Sequence, residues 1–190
     1  MITLTQGDLL KQDDVDAIVN AVNCVGVMGK GIALQFKHRW PANFTEYTAA
    51  CKAGKVRPGC MFIYALGGLI QPHHIINFPT KDHWRDGSRI QFIEEGLVDL
   101  VAQVRRLGIR SIAIPPLGCG NGGLRWSDVL PLIQAAFEPL HEVEVRLFEP
   151  EGSPRALVGR ARARSELNED QALEEADRQI AAVRRGPVAG

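Results

Sequence analysis

Hydrophobic and polar positions along the chain form two kinds of pattern. Alternating or short continuous apolar stretches predict six β-strands, at residues 2–6, 16–22, 61–66, 75–78, 111–114 and 143–148. Apolar residues at helical spacing predict four α-helices, at residues 32–39, 41–53, 90–107 and 127–140. Because strands and helices alternate, the sequence predicts an α/β fold with a largely parallel sheet.

Short signals mark the ends of the predicted helices. Pro41 suits the first position of a helix, and Gly54 and Gly108 follow helices as stop residues. Ser88 lies three residues before Gln91, which is the spacing of a capping box. The third helix is therefore expected to be capped by Ser88.

The loop after the fifth predicted strand is rich in glycine. Residues 115–124 have the sequence PPLGCGNGGL, so backbone N–H groups there can approach a ligand closely. A strand, a glycine loop and a helix in succession commonly hold a phosphate or diphosphate. The loop is not a Walker A motif, and Lys30 in MGKGIA lacks that motif's spacing. The sequence predicts an anion site here.

Polar loops follow two other predicted strands. Asn20 and Asn23 end the second strand, and asparagine suits ribose hydroxyls. Asn23 is the ligand candidate, while Asn20 is expected to tie down the loop. The sequence FPTKDHWR, residues 78–85, follows the fourth strand. Ligands of parallel sheets bind beyond the carboxyl ends of the strands, so the three loops are expected to form one site.

Several side chains in these loops are candidates for chemistry. Lys81 is the sharpest, because a partly desolvated amine can act as a nucleophile or base. Trp84 and Arg85 suit base stacking and phosphate contact, although a charged loop is usually solvated surface. His83 alone favours a structural role. Asp8 is expected to cap the following turn; the alternative is that it accepts a hydrogen bond from the exocyclic amine of a base.

Composition narrows the class of protein. The 22 Lys and Arg residues equal the 22 Asp and Glu residues, so no overall basic charge indicates nucleic-acid binding, and only a local patch stays open. The 4 cysteines are scattered without a CxxC pair, so reduced thiols are expected rather than a zinc site or disulfides. No targeting or membrane-spanning segment is predicted, and a soluble, cytoplasmic protein is expected.

The composition changes after Pro150. Residues 151–166 are rich in Gly, Pro, Ser and Arg and predict a linker. Residues 166–185 are charged and alanine-rich and favour a solvated helix, the alternative being a helix docked on a partner. The chain is therefore predicted to contain one domain at residues 1–150 and a tail at residues 151–190.

A set of sequence blocks resembles the macrodomain family, whose members bind ADP-ribose on a three-layer α/β/α fold with a mixed, largely parallel sheet. The blocks are QGDLL (6–10), IVNAVN (18–23), GVMGKGIALQFK (26–37), NFPTKDHWR (77–85) and PPLGCGNGGLRW (115–126). GVMGKGIA and GCGNGGL are similar to the branch that contains eukaryotic terminal ADP-ribose glycohydrolases and bacterial DarG antitoxins. NFPTKDHWR is most similar to DarG.

The resemblance implies a role for individual residues. Asp8 would hold the adenine amine, Leu9 would contribute a backbone amide and Asn23 would face the distal ribose. Lys81 matches the lysine on which catalysis depends, and Phe148 would pack on adenine unless it is a core residue. The diphosphate would lie between Gly29, Gly31 and Ile32 on one side and Gly118, Cys119, Gly120, Asn121, Gly122 and Gly123 on the other. DNA contacts are expected from His83, Trp84 and Arg85.

The resemblance also implies a function, the removal of ADP-ribose from a base, with thymidine favoured, in single-stranded DNA that a DarT-type toxin has modified. No metal or cofactor is expected. Gly122 stands where the eukaryotic relatives carry an aspartate, so a lysine–aspartate mechanism is not carried over. An ADP-ribose-binding module without turnover, and a hydrolase of glutamyl-ADP-ribose or O-acetyl-ADP-ribose, stay open. The roughly 40 residues after Pro150 are too few for a toxin-binding domain, so direct toxin contact is not expected of them.

Overall fold

The computed structural model describes residues 1–68 and 70–150, and the linker and helix predicted in residues 151–190 lie outside that part. The strands are β1 (Ile2–Thr5), β2 (Ala17–Val22), β3 (Phe62–Ala65), β4 (His74–Pro79), β5 (Ser111–Ile114) and β6 (Glu144–Phe148). The α-helices are α1 (Gly31–Arg39), α2 (Pro41–Lys52), α3 (Ile90–Leu107) and α4 (Trp126–Phe137). Each strand and helix predicted within residues 1–150 is therefore present, with bounds that differ by a few residues.

The six strands form one sheet in the order β1-β6-β5-β2-β4-β3. Five strands are parallel, and only β3 at the edge runs antiparallel, beside β4. The predicted mixed, largely parallel sheet is confirmed. Because all five parallel strands end at one edge, the loops that follow them also lie there.

Alternate side chains of the strands enter two separate cores, because neighbouring residues of a strand point to opposite faces. Val19 belongs to the core formed with α3 and α4. Its neighbour Ile18 belongs to a core that contains Phe36 of α1. Helices thus cover both faces of the sheet, and the structure has three α/β/α layers.

The third helix lies close to the sheet at Gly96. A Cβ at this position would overlap the ring of Phe78 on β4, and both residues are buried. The hydrogen of glycine therefore sets the distance between α3 and the sheet.

We expect Gly96→Ala to lower the free energy of unfolding by about 1–3 kcal/mol, because the added methyl group overpacks the core against Phe78. Urea denaturation followed by circular dichroism measures the change. Val98→Ala on the exposed side of the same helix is the control and should shift stability by less than about 0.5 kcal/mol. A Gly96→Ala protein as stable as the parent would show that the helix can move away from the sheet without cost.

Asp16 joins three strands at the opposite, amino-terminal edge of the sheet. Its carboxylate accepts hydrogen bonds from the backbone N–H groups of Arg110 (2.7 Å) and Ser111 (3.0 Å), and from the Gln71 side chain (2.8 Å). Burial opposes its ionisation, but these hydrogen bonds outweigh burial and lower its pKa. The stabilisation is complete above the pKa of a free aspartate and is lost as the pH falls through the lowered value.

Some local predictions were wrong. The N-cap residue of α3 is Arg89, which makes no side-chain capping hydrogen bond, so Ser88 does not form a capping box. A short 3-10 helix at Leu9–Lys11 was not predicted. None of the described helices is long and apolar enough to span a bilayer.

Candidate functional site

The three polar loops predicted to share a site leave neighbouring strands at the same edge. β2 lies between β5 and β4 and is parallel to both. The loop after β2 is joined to the loop after β4 by backbone hydrogen bonds from Thr80 to Val22 (3.0 Å) and from Cys24 to Asp82 (2.9 Å). The loops therefore form one continuous surface.

Lys81 connects the loop after β4 with the glycine loop after β5. Its Nζ donates to the backbone carbonyls of Asp86 (2.9 Å) and Asn121 (3.0 Å). The residue is only 9% exposed. Burial lowers the pKa of the amine, an effect that the charge of Asp86 partly opposes. Since an ammonium group has three N–H donors, one remains for a ligand.

The glycine loop packs against Ser88, the residue two positions before the start of α3. Gly118 has a positive φ of +71°, and a Cβ there would lie 2.8 Å from Leu124 Cδ1. A Cβ at Gly122 would overlap the Ser88 hydroxyl and the Gly118 carbonyl. The Ser88 N–H also donates to the Gly122 carbonyl at 2.8 Å. Side chains are therefore excluded at both glycines, and the backbone follows one fixed path.

This path leaves consecutive amides unpaired. Within residues 1–68 and 70–150, the N–H groups of Gly120, Asn121 and Gly122 donate no backbone or side-chain hydrogen bond. Successive free N–H groups in a turn form a concave site for an anion. The glycine loop therefore has free N–H donors of the kind that the predicted anion-binding role requires.

The amino terminus of α1 faces the same loop. Gly31, the first residue of α1, has a positive φ of +58°, and a Cβ there would lie 2.8 Å from the Asn121 side-chain nitrogen. Gly29 lies two residues before this position, and Ile32 directly follows it. The first N–H groups of a helix have no partner within the helix and favour negative charge. The N–H groups of the glycine loop and those at the start of α1 therefore lie on two sides of a slot. Its width depends on the absence of a side chain at Gly31.

Asn23, in the loop after β2, and Asn20, on β2 itself, make different hydrogen bonds. Asn23 Oδ1 accepts from the N–H groups of Val25 (3.0 Å) and Val27 (3.3 Å), and its Nδ2 donates to the Val27 carbonyl (2.6 Å). Asn20 instead donates to Asn77 Oδ1 on β4 at 3.0 Å. Among the described residues Asn20 bonds to no backbone group of the loop, as the prediction required, but its Nδ2 lies 3.9 Å from Met28 Sδ in that loop. Asn23 is the residue that holds the loop backbone.

Tyr47 on α2 completes this arrangement, and the sequence patterns did not reveal it. Its buried hydroxyl donates to the Asn23 backbone carbonyl at 2.5 Å and lies 3.3 Å from Asn23 Oδ1. Burial raises the pKa of the phenol well above its ordinary range. Tyr47 therefore acts as a permanent donor and fixes Asn23 within its loop.

Phe148 is the last residue of β6, and Asp8 lies three residues after the end of β1, which pairs with β6. The Asp8 carboxylate accepts from the Leu10 N–H at 2.9 Å, so the prediction of a turn cap is confirmed. Phe148 is 4% exposed and packs in the same cluster as Leu9 and Leu10. The aromatic ring is thus a core residue beneath the turn that Asp8 caps.

A group of aromatic and charged residues lies beyond Lys81 on the outer rim. Trp84 is 47% exposed. Its ring lies 5.4 Å from that of His83, and the Arg85 guanidinium lies 4.6 Å from its centre. An exposed indole beside a cation can receive a stacked base and a phosphate.

The thiols in the site loops are poor nucleophiles. Burial raises the pKa of Cys24 to about 12 and that of Cys119 to about 11. Both therefore remain protonated near neutral pH, and a thiol does not attack without losing its proton. Lys81 is left as the candidate reactive group at the junction of the loops.

Comparison with known proteins agrees with this architecture. The sequence model of the Macro domain matches residues 19–133. The chain belongs to the macrodomain family. This macrodomain is 54% identical over 159 residues to a Mycobacterium tuberculosis protein named DNA ADP-ribosyl glycohydrolase, a match that covers 84% of the chain and 45% of the relative. A Thermus aquaticus protein of the same name is 53% identical over 156 residues, which cover 82% of the chain and 43% of the relative.

Solved structures confirm the three-layer macrodomain fold. The macrodomain of Mycobacterium tuberculosis DarG matches with a TM-score of 0.77 and 55% identity, covering 79% of this chain and 98% of that one. Thermosipho africanus DarTG in complex with ADP-ribose matches with a TM-score of 0.72 and 33% identity, covering 80% of this macrodomain and 42% of that protein. The chain spans less than half the length of the curated relatives that it matches.

Proposed function

We propose that this macrodomain is a DNA ADP-ribosyl glycohydrolase that removes ADP-ribose from a base, with thymidine as the favoured one, in single-stranded DNA. The observation that carries the proposal is Lys81, a buried amine held at the junction of the site loops with one N–H free. The names of the similar mycobacterial and Thermus proteins support it.

The proposed ligand position follows the free donors. The diphosphate lies between the N–H groups of the glycine loop, residues 118–123, and those at the start of α1, which begins at Gly31. Asp8 holds the adenine amine through the carboxylate oxygen that does not cap the turn, and the Leu9 amide lies beside it. Asn23 faces the distal ribose with its remaining amide hydrogen. Phe148 contributes to adenine binding indirectly, because it packs beneath the turn that carries Asp8 and Leu9.

Hydrolysis breaks the bond between the anomeric carbon of the distal ribose and the base. Water supplies a hydroxyl to the carbon, and the base leaves with a proton. Lys81, as an ammonium, donates that proton or stabilises the charge of the leaving base. His83, Asp82 or a phosphate of the substrate takes the proton from water and returns it to Lys81. The steps balance without any other reactant.

A second candidate function is recognition of ADP-ribose without turnover. Gly122 favours it, because the glycine loop supplies no carboxylate to work with Lys81. Hydrolysis of a glutamyl ester or of O-acetyl-ADP-ribose would use the same slot. The group attached to ADP-ribose, which is a base, a glutamyl residue or an acetyl group, lies outside the slot in each case. The residues around Trp84 therefore determine which of these substrates fits.

We also propose that the chain counteracts a DarT-type DNA ADP-ribosyltransferase. The supporting observation is a Thermosipho africanus fusion protein, 34% identical over 164 residues, whose name joins a DNA ADP-ribosyl transferase with a DNA ADP-ribosyl glycohydrolase. The counteraction is enzymatic and requires no contact between the two proteins.

The test is incubation with a thymidine-ADP-ribosylated single-stranded oligonucleotide. Release of ADP-ribose, seen as a gel shift of the oligonucleotide, is the expected result. A chain that binds free ADP-ribose but releases none would be a binding module. Release only from glutamyl-ADP-ribose or O-acetyl-ADP-ribose would assign a different substrate class.

We expect the pH dependence of kcat/KM to report the protonation state of the Lys81 amine. The ammonium form is fully present below its pKa, so the rate should be sustained near neutral pH and fall as the pH rises through that value. Because burial lowers this pKa, the fall should come below the usual range of a lysine. A rate that instead rises through this range would assign the neutral amine as a nucleophile or base.

A further inference from the structure

We propose that Val25, Val27 and Trp84 form a seat for an unpaired nucleobase that neighbours the ADP-ribosylated nucleotide in single-stranded DNA. The proposal rests on the function above and adds a second contact point for the DNA strand. Val25 and Val27 would form one wall of the base seat and Trp84 the other.

Exposed apolar side chains are concentrated around the site. Val25 is 47% exposed, Val27 is 38% exposed and Trp84 is 47% exposed. The other large exposed apolar residues of the described chain, Met1, Ile70 and Val98, belong to three separate parts of the sequence. Scattered exposed apolar residues are normal, but several beside one site indicate a binding surface.

The hydrogen bonds of the two loops place the walls side by side. The Cys24 N–H donates to the Asp82 carbonyl at 2.9 Å, and the Cys24 thiol lies 3.5 Å from the Lys81 carbonyl. Val25 directly follows Cys24, and Trp84 comes two residues after Asp82. The valines and Trp84 therefore belong to two loops that are joined by hydrogen bonds beside Lys81.

The valine wall is rigid, which distinguishes it from a loop that is exposed by chance. Asn23 binds the backbone of both valines with three hydrogen bonds of 2.6–3.3 Å. Gly26, between the valines, has a positive φ of +81°, and a Cβ there would lie 3.4 Å from the Thr48 backbone. The back of the loop is thus held against α2, and the side chains of both valines are partly exposed to solvent.

The charges beside the seat suit a nucleic-acid strand. The Arg85 guanidinium lies 4.6 Å from the Trp84 ring centre and can contact a phosphate while the ring stacks on a base. The loop of Trp84 also carries the exposed acids Asp82 and Asp86, so Arg85 is the group assigned to the phosphate contact. The chemistry that fits is a flat apolar base joined to an anionic backbone, without a requirement for one base sequence.

The test compares two substrates of the full chain. One is a single ADP-ribosylated thymidine nucleotide, and the other is the same nucleotide within a single-stranded oligonucleotide. The parent should show a KM for the oligonucleotide that is lower by roughly 5- to 150-fold, the usual range for one stacked base. The double variant Val25→Ser/Val27→Ser should lose most of this preference.

Two controls keep the result specific. Val98→Ser, an exposed valine on α3, should keep the preference of the parent. Calorimetric binding of free ADP-ribose by the double variant should stay within about twofold of the parent, which shows that the slot and the fold are intact. Equal KM values of the parent for both substrates, or a double variant that keeps the preference, would overturn the base seat and leave the glycohydrolase function standing. Release from neither substrate would overturn both proposals.

Discussion

Replacing Lys81 with alanine should lower the rate at which ADP-ribose leaves single-stranded DNA by about two to three orders of magnitude. The variant loses the only described amine whose nitrogen bridges two site loops. It also frees the carbonyls of Asp86 and Asn121, so the glycine loop loses one brace. Single-turnover rates on a gel measure the effect.

Binding of free ADP-ribose separates these two losses. A variant defective mainly in chemistry should bind ADP-ribose within about tenfold of the parent, because the slot donors are backbone N–H groups. Lys30→Ala is the matched control, since Lys30 is an exposed lysine of a neighbouring site loop. If Lys81→Ala kept normal turnover and Lys30→Ala did not, the catalytic assignment to Lys81 would be wrong.

Introducing the aspartate of the eukaryotic relatives, Gly122→Asp, should reduce ADP-ribose affinity by roughly 5- to 150-fold rather than create a better enzyme. Its Cβ would overlap the Ser88 hydroxyl and the Gly118 carbonyl, so the loop must move. Overpacking of this kind costs about 1–3 kcal/mol, and here the displaced atoms include the free N–H donors. Isothermal titration calorimetry with ADP-ribose measures the loss.

The double variant Ser88→Gly/Gly122→Asp tests the physical reason. Removing the Ser88 side chain relieves one overlap, but the Gly118 carbonyl is backbone and remains. Affinity should therefore recover only in part. A Gly122→Asp protein that binds and hydrolyses as well as the parent would mean that the loop has a second path open to side chains.

The secondary structure was predictable because its signals are local. The run from Ser111 to Ile114 is apolar enough to define a buried strand, and α3 repeats apolar residues with helical spacing. The edge position and reversed direction of β3 were not predictable, because they depend on pairing with β4. The prediction of a capping box failed because Ser88 packs against the glycine loop, 30 or more residues away in sequence.

The functional site shows the same difference between features with local sequence signals and features that depend on distant residues. The sequence identified the glycine loop and Lys81, whose residue types indicate anion binding and amine chemistry without knowledge of their neighbours. The partners of these groups were not visible. Lys81 binds the carbonyl of Asn121, and Tyr47 binds Asn23 across 24 positions. A backbone carbonyl has no residue type, so sequence patterns cannot identify it as an acceptor.

Asp16 has a consequence for how such a protein can change over generations. It holds the amino-terminal ends of β2 and β5, whereas the slot, Lys81 and the valine wall all lie at the opposite ends of the strands. Mutations that alter the rim loops therefore leave this anchor intact. The choice of ligand can therefore change by substitution of a few rim residues while the residues that stabilise the fold stay the same.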